Sequence, residues 1–302
     1  MKIAITTSSF GKYDTRPLDI LGVKGYEIVL NPYKRTLSEG EVLEVCNGVV
    51  GIIAGTEPLR RDTLKALQEL KVISRCGTGM DNVDVIAAEN IGIKVYNTPD
   101  APTLAVVELA VGMILSLLRN VREMDASVRN NRWEKVMGNL LNGKTAGIIG
   151  FGRIGRKLAE VLKYFGCIVV FHDISNAVES GGFDRVDLKD LLSRSDIVSL
   201  HVSSKTLIMG EDEISRMKKG AWLINVSRGG VVDEGALYKS LKAGHLRGAA
   251  LDVYEKEPYE GPLTGLENVV LTPHVGSYAV ESRVEMEVQA VQNLLKGLGC
   301  PV

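Results

Sequence analysis

Three features of this sequence could carry chemistry together: a glycine-rich turn, four histidines, and an arginine at the end of an apolar run. The turn is Gly150-Phe-Gly152-Arg153-Ile154-Gly155, which matches G-x-G-x-x-G. It follows the apolar stretch TAGII and opens the helical pattern RKLAEVLKYFG, after which IVVFH leads to Asp173. Glycines in that setting permit a tight turn and let a pyrophosphate approach a helix N-terminus, where free N–H groups and the helix dipole favour negative charge. An acid about 20 residues further on accepts hydrogen bonds from adenosine ribose hydroxyls, which is the place of Asp173. Ile174, Ser175 and Asn176 bring no arginine for a 2′-phosphate, and the Asp173 carboxylate would repel one. The pattern therefore predicts NAD over NADP.

Hydride transfer between a hydroxyl carbon and a nicotinamide needs a group that moves the hydroxyl proton, and histidine does this near neutral pH. His245, in KAGHLRG, reads as a solvated turn, and His172, beside Asp173, as packing on the adenosine side. His201 and His274 both follow apolar strand patterns, and open parallel sheets bind ligands beyond the carboxyl ends of their strands. Position alone does not choose between them. Val275, Gly276 and Ser277 after His274 would let a ligand come close, which favours His274.

Arg228 stands in NVSRGGVVDEGAL, just after the apolar run WLIN. A guanidinium at the end of a buried strand is costly unless it meets an anion, and the paired glycines allow close approach of backbone or ligand. A surface arginine in a strand-to-helix loop is the plain alternative.

These residues need elements to hold them. KIAIT, YEIVL, GVVGIIAG, KVISRC and IKVY alternate with helical patterns over the first hundred residues; a second series runs through TAGIIG, IVVFHD, DIVSLHV, AWLINVS, GAALDVY and NVVLTPH. That rhythm predicts two parallel α/β units. A long helix over residues 103 to about 131 bridges them, and a last helix over 278–295 returns to the first unit. At 45% hydrophobic and 24% charged, 302 residues can build two cores. The net charge of −1, without basic clusters, argues against nucleic acid. Cys46, Cys76, Cys167 and Cys300 form no CxxC pair, which speaks for reduced thiols and against a metal site. The first residues resemble no signal peptide, and the apolar run 104–118 is too short to span a bilayer, so a cytoplasmic protein without membrane partners is expected.

Taken in order, RCGTGMDNVD, NTP, GFGRIG, NVSRGGVVDEGAL, GAALDVYEKEP and LTPHVG resemble the D-isomer specific 2-hydroxyacid dehydrogenase family over nearly the whole chain. The resemblance implies two Rossmann-like domains: a flavodoxin-like substrate domain of residues 1–98 and 277–302, and a doubly wound NAD-binding domain of residues 99–276. It implies that Arg228 binds and polarises an α-keto acid, that Glu257 pairs with His274, and that His274 is the acid/base. A carboxylate beside His274 would favour its imidazolium form. Glutamate at position 257 argues against a formate dehydrogenase, which carries glutamine there. The same resemblance places the substrate carboxylate on the backbone of Gly77, Thr78 and Gly79. It puts Thr98, Val202, Val226, Ser227, Asp252 and Gly276 at the cofactor with the glycine turn, and a homodimer interface on the long helix and the arm through Trp133.

RCGTGMDNVD is closest to 3-phosphoglycerate dehydrogenases, in which the arginine corresponding to Arg75 approaches the substrate phosphate; a structural ion pair is the other reading. The expected activity is NAD-dependent oxidation of a small D-2-hydroxyacid or reduction of its 2-keto acid, with 3-phosphoglycerate as one candidate. A glyoxylate or hydroxypyruvate reductase is the enzyme alternative. A non-catalytic NADH-binding regulator is the alternative of another class, for which the chain offers no evident peptide-binding surface. After DIVSLHV the family's PLTPET-type loop is replaced by SSKTLIMGEDEI, a few residues shorter.

Overall fold

Runs such as GIIA, IVSL, WLIN and GAAL are buried at every position and mostly apolar because both faces of a parallel sheet are covered by helices. A computed structural model describes residues 1–300. In chain order the elements begin β1 (Lys2–Ile5), α1 (Arg16–Val23), β2 (Glu27–Leu30), α2 (Glu39–Val45), β3 (Gly51–Ala54), α3 (Arg61–Ala66), β4 (Val72–Arg75), α4 (Val85–Asn90) and β5 (Lys94–Asn97). They continue with α5 (Thr103–Leu118), α6 (Val121–Arg129), β6 (Thr145–Ile149), α7 (Arg153–Tyr164), β7 (Ile168–His172), β8 (Asp184–Arg185), α8 (Leu188–Arg194), β9 (Ile197–Leu200) and α9 (Glu211–Arg216). The chain closes with β10 (Trp222–Asn225), α10 (Glu234–Lys242), β11 (Gly248–Leu251), β12 (Val269–Leu271) and α11 (Val280–Gly297).

The chain divides into one unit of residues 1–102 and 277–302 and a second of residues 103–276. Residues 99–102, expected in the middle unit, group with the first. The first unit's parallel sheet has the order β2-β1-β3-β4-β5, the flavodoxin-like arrangement. Its helix starts follow simple capping rules: Ser38 and Glu41 form a capping box on α2, and the Asp84 carboxylate accepts from Ala87 N–H at α4. α11 packs Ala290, Val291, Leu294 and Leu295, all fully buried, into the same core as Ile3, Ile5 and Ile53.

The second unit's parallel sheet has the order β12-β11-β10-β9-β6-β7-β8, the doubly wound arrangement with its switch point between β6 and β9. The long helix expected over 103 to 131 is broken into α5 and α6, bent by 67° where Asn120 takes a left-handed φ of +50°. Asparagine tolerates that conformation, so the break needs neither glycine nor proline. α5 buries Ala110 and Ile114 completely against the core beneath the nucleotide turn. No single helix among the described residues is long and apolar enough to cross a membrane.

Candidate active site

The glycine turn sits at the switch point of the second sheet and opens α7. Gly150 has φ +88°, and a Cβ there would lie 2.6 Å from the His201 carbonyl oxygen; a Cβ on Gly155 would run into the Gly150 carbonyl. Both positions are therefore closed to larger residues. Gly152 differs: it is the N-cap of α7, has no side-chain cap, and a Cβ there would meet nothing within 4 Å. Open space over uncapped first-turn N–H groups, those of Arg153, Ile154 and Gly155, suits a pyrophosphate. Phe151 stacks on Phe171 with ring centroids 3.8 Å apart, which fixes the turn on β7. Asp173 completes the fit. Its Oδ2 accepts from Phe151 N–H at 2.7 Å and its Oδ1 from Ser175 N–H at 2.8 Å, so the carboxylate is held at the strand end. Val202 lies 3.0 Å from the position of a Gly150 Cβ, against the same turn.

Arg228 follows β10, and its turn is built by a residue that sequence reasoning passed over. Asn225 is buried; its Oδ1 accepts from Ser227 N–H at 3.1 Å and Ser227 Oγ at 2.8 Å, while its Nδ2 donates to the Arg228 carbonyl at 3.0 Å. Ser227 and Val226, both expected at the cofactor, are themselves buried, and the Ser227 hydroxyl is committed to Asn225. A Cβ on Gly229 would collide with the Tyr254 carbonyl. The first glycine of the pair thus admits backbone rather than ligand. Arg228 Nη1 donates to the Ser227 carbonyl at 2.8 Å.

A histidine–carboxylate pair follows the neighbouring strands β11 and β12. Glu257 follows β11 and His274 follows β12; His274 Nδ1 is 2.9 Å from Glu257 Oε2 and 3.1 Å from Oε1. The two side chains are 55% and 38% exposed. An ion pair so open to water adds little to stability. His274 also holds a left-handed φ of +55°, a conformation that costs of order 1 kcal/mol in a residue with a Cβ. A costly backbone and an exposed pair are not explained by folding energy.

The anchor of this loop is Asp252. It is buried and accepts from Thr272 Oγ1 at 2.6 Å, Val275 N–H at 2.8 Å and Gly276 N–H at 2.8 Å. Asp252 and Gly276, both expected at the cofactor, therefore hold the backbone on either side of His274. A Cβ on Gly276 would lie 3.2 Å from Asp252 Oδ2, which keeps the position small.

The other histidines serve the fold. His201 Nε2 is 2.8 Å from Ser199 Oγ, and Nδ1 is buried without a partner. Burial lowers its pKa from the usual 6.5 to about 3. His201 is consequently neutral, with its Nδ1 enclosed. The linkage has a definite sign: the unfolded chain takes up a proton at His201 below about pH 6.5 and the folded chain does not, so stability falls as pH drops from there towards 3. A melting temperature that declines over this window in the wild type, and less steeply in His201→Gln, is the expected result. His245, read as solvated, is half-buried with Nε2 3.2 Å from the Ile214 carbonyl; His172 Nδ1 is 3.1 Å from the Val186 carbonyl.

In the first unit, the loop after β4 is held by the end of β5. Gly77 N–H donates to Thr98 Oγ1 at 2.8 Å, Thr98 N–H to the Gly77 carbonyl at 3.1 Å, and Asn97 Nδ2 to the Thr78 carbonyl at 2.8 Å. Thr98, expected at the cofactor, is fully buried and spends its hydroxyl on Gly77. The Thr78 hydroxyl oxygen is buried without a partner. Arg75 Nη1 donates to the Cys76 carbonyl, and its guanidinium fills the space a Gly77 side chain would need. Gly77 has φ +144°, so that space is reserved twice over. Among the described residues no group of three or more His, Cys, Asp or Glu side chains is placed to hold a metal.

A doubly wound sheet with an open dinucleotide turn at its switch point, and an arginine and a histidine–carboxylate pair on adjacent strand ends, defines a nicotinamide-dependent dehydrogenase. Residues 111–276, within the second unit, match the family described as D-isomer specific 2-hydroxyacid dehydrogenase, NAD binding domain. The chain is 40% identical over 289 residues to a glyoxylate reductase of Thermococcus litoralis, covering 90% of this chain and 87% of that protein. It is 40% identical over 258 residues to a D-3-phosphoglycerate dehydrogenase of Methanocaldococcus jannaschii, covering 82% of this chain and 49% of the relative. It thus spans about half the length of that relative. The TT0316 protein of Thermus thermophilus superposes with a TM-score of 0.90 at 34% identity, covering 99% of this chain and 97% of the other. The chain belongs to the D-isomer specific 2-hydroxyacid dehydrogenase family, and NAD is its cofactor.

Proposed function

We propose that the chain is an NAD-dependent D-2-hydroxyacid dehydrogenase acting on a small substrate. The observation that carries this reading is the exposed His274–Glu257 pair, held by the buried Asp252 at a left-handed backbone position. Bound NAD(H) supplies or takes up the hydride. Arg228 binds the substrate carboxylate and carbonyl with its planar fork and polarises the carbonyl. His274 gives a proton to the carbonyl oxygen as the hydroxyl forms and takes it back in the reverse direction, while Glu257 holds Nδ1 and balances the charge. With the Gly77 N–H given to Thr98, the backbone N–H groups of Thr78 and Gly79 bind the carboxylate, and the unpartnered Thr78 hydroxyl supports a ligand at this loop. Chiral analysis of the product made from hydroxypyruvate and NADH tests the assignment. The D-isomer is expected; the L-isomer would overturn it.

Two substrate readings differ in what Arg75 does. If it swings out to a phosphate, Arg75→Ala raises KM for 3-phosphohydroxypyruvate by about ten- to a hundredfold, the worth of a charge-assisted pair, and leaves glyoxylate kinetics alone. The bond from Arg75 to the Cys76 carbonyl favours glyoxylate or hydroxypyruvate. Arg75→Ala then lowers the melting temperature and affects all substrates alike.

A homodimer fits the apolar side chains left exposed on α6 and the following arm: Val121, Val128, Trp133, Met137 and Leu140. Light scattering at micromolar concentration is expected to give twice the 32.8 kDa chain mass. The four free cysteines fit a reducing, cytoplasmic setting.

A further inference from the structure

The edge of the sheet beside Asp173 carries a cation that the residues following Asp173 do not reveal. β8 pairs parallel with β7, with Arg185 opposite Phe171. From there the exposed Arg185 reaches over the strand end, and its Nη2 donates to the carbonyls of Asp173 at 2.5 Å and Ser175 at 3.0 Å. Both bonds come from one nitrogen, so the Nη1 and Nε donors of the fork remain for a ligand. Arg156 of α7 holds the other end of the same loop through the Glu179 carbonyl at 3.1 Å. Two guanidinium groups therefore bracket the 174–182 segment. Glu179 and Asp184 are further exposed acids on this edge, the Glu179 carboxylate lying 4.0 Å from Arg156 Nη1. The Asp173 carboxylate is the acid fixed at the strand end, by Phe151 N–H and Ser175 N–H.

An acid at this position of a doubly wound fold receives the adenosine ribose hydroxyls. We propose that Arg185 is a second determinant of cofactor choice: its guanidinium stands where a 2′-phosphate would be received, and the Asp173 carboxylate alone refuses that phosphate. The inference rests on NAD as cofactor. It implies that removing one negative charge opens the site to NADPH without any new cation.

Calorimetric titration of the full chain with NADH, NADPH and adenosine 2′,5′-bisphosphate tests this without reliance on turnover. In the wild type NADPH should bind at least about ten times more weakly than NADH. Asp173→Asn keeps an oxygen for Phe151 N–H and loses the charge, and should lower the NADPH-to-NADH Kd ratio at least about tenfold, roughly the effect of one charge-assisted contact. Asp173→Asn/Arg185→Gln should bring the ratio back by at least fivefold (roughly 1 kcal/mol) and weaken the bisphosphate in step, with NADH affinity in the two variants reporting on the shared ribose edge. An Asp173→Asn variant that gains nothing for NADPH, or a gain that survives Arg185→Gln, overturns the proposal. Absence of NADH binding in all three proteins would instead strike at the cofactor assignment itself.

Discussion

Replacing His274 by glutamine is expected to lower kcat for 2-keto acid reduction by about 10²- to 10⁴-fold, the usual worth of a positioned general acid, while leaving NADH affinity nearly intact. Glutamine retains a polar group of similar reach but cannot give up a proton. The structure supplies the reason for so large an effect. His274 is the histidine whose ring is open to solvent and paired with a carboxylate, at 2.9 Å from Glu257, whereas His201 is half-buried and neutral and His172 and His245 are turned to backbone carbonyls. Single-turnover measurements at saturating NADH separate the chemical step from release. A decrease of less than about tenfold would show that another group, or water, moves the proton.

Arg228→Lys is expected to lose about ten- to a hundredfold or more in kcat/KM, again with NADH affinity nearly unchanged. Lysine keeps the charge, so a merely electrostatic or structural arginine would survive the exchange. A planar fork gripping both carboxylate and carbonyl would not. Asn225 bonds to Ser227 and to the Arg228 carbonyl, so the backbone that aims the side chain stays in place when the side chain is changed. Turnover within a factor of about two of the wild type would remove Arg228 from the chemistry.

The central parallel strands were legible because they are short, largely apolar runs, as in GIIA and GAAL, and the glycine turn because only glycine fits Gly150 and Gly155. β8 was not legible. It is two exposed polar residues, Asp184 and Arg185, and owes its existence to pairing with β7 rather than to any pattern of its own. That omission also hid the arginine beside Asp173. The break between α5 and α6 escaped notice because Asn120 supplies the left-handed turn that glycine or proline would have announced. Among candidate site residues, Arg228, Glu257 and His274 were picked out by the resemblance, with position alone marking Arg228 and His274 as candidates among alternatives. The supports could not, since Asp252 finds its partners 23 and 24 residues later and Asn225 reads as one more strand residue. Polar side chains that build a site take their roles from the fold, and their local sequence carries no sign of it.

Loss of NADH absorbance on mixing the purified chain with glyoxylate, hydroxypyruvate or 3-phosphohydroxypyruvate tests the central claim most directly. The site as built predicts steady consumption of NADH with at least one of the three, abolished to near background in His274→Gln. Tight binding of NADH with no consumption on any of them would contradict it.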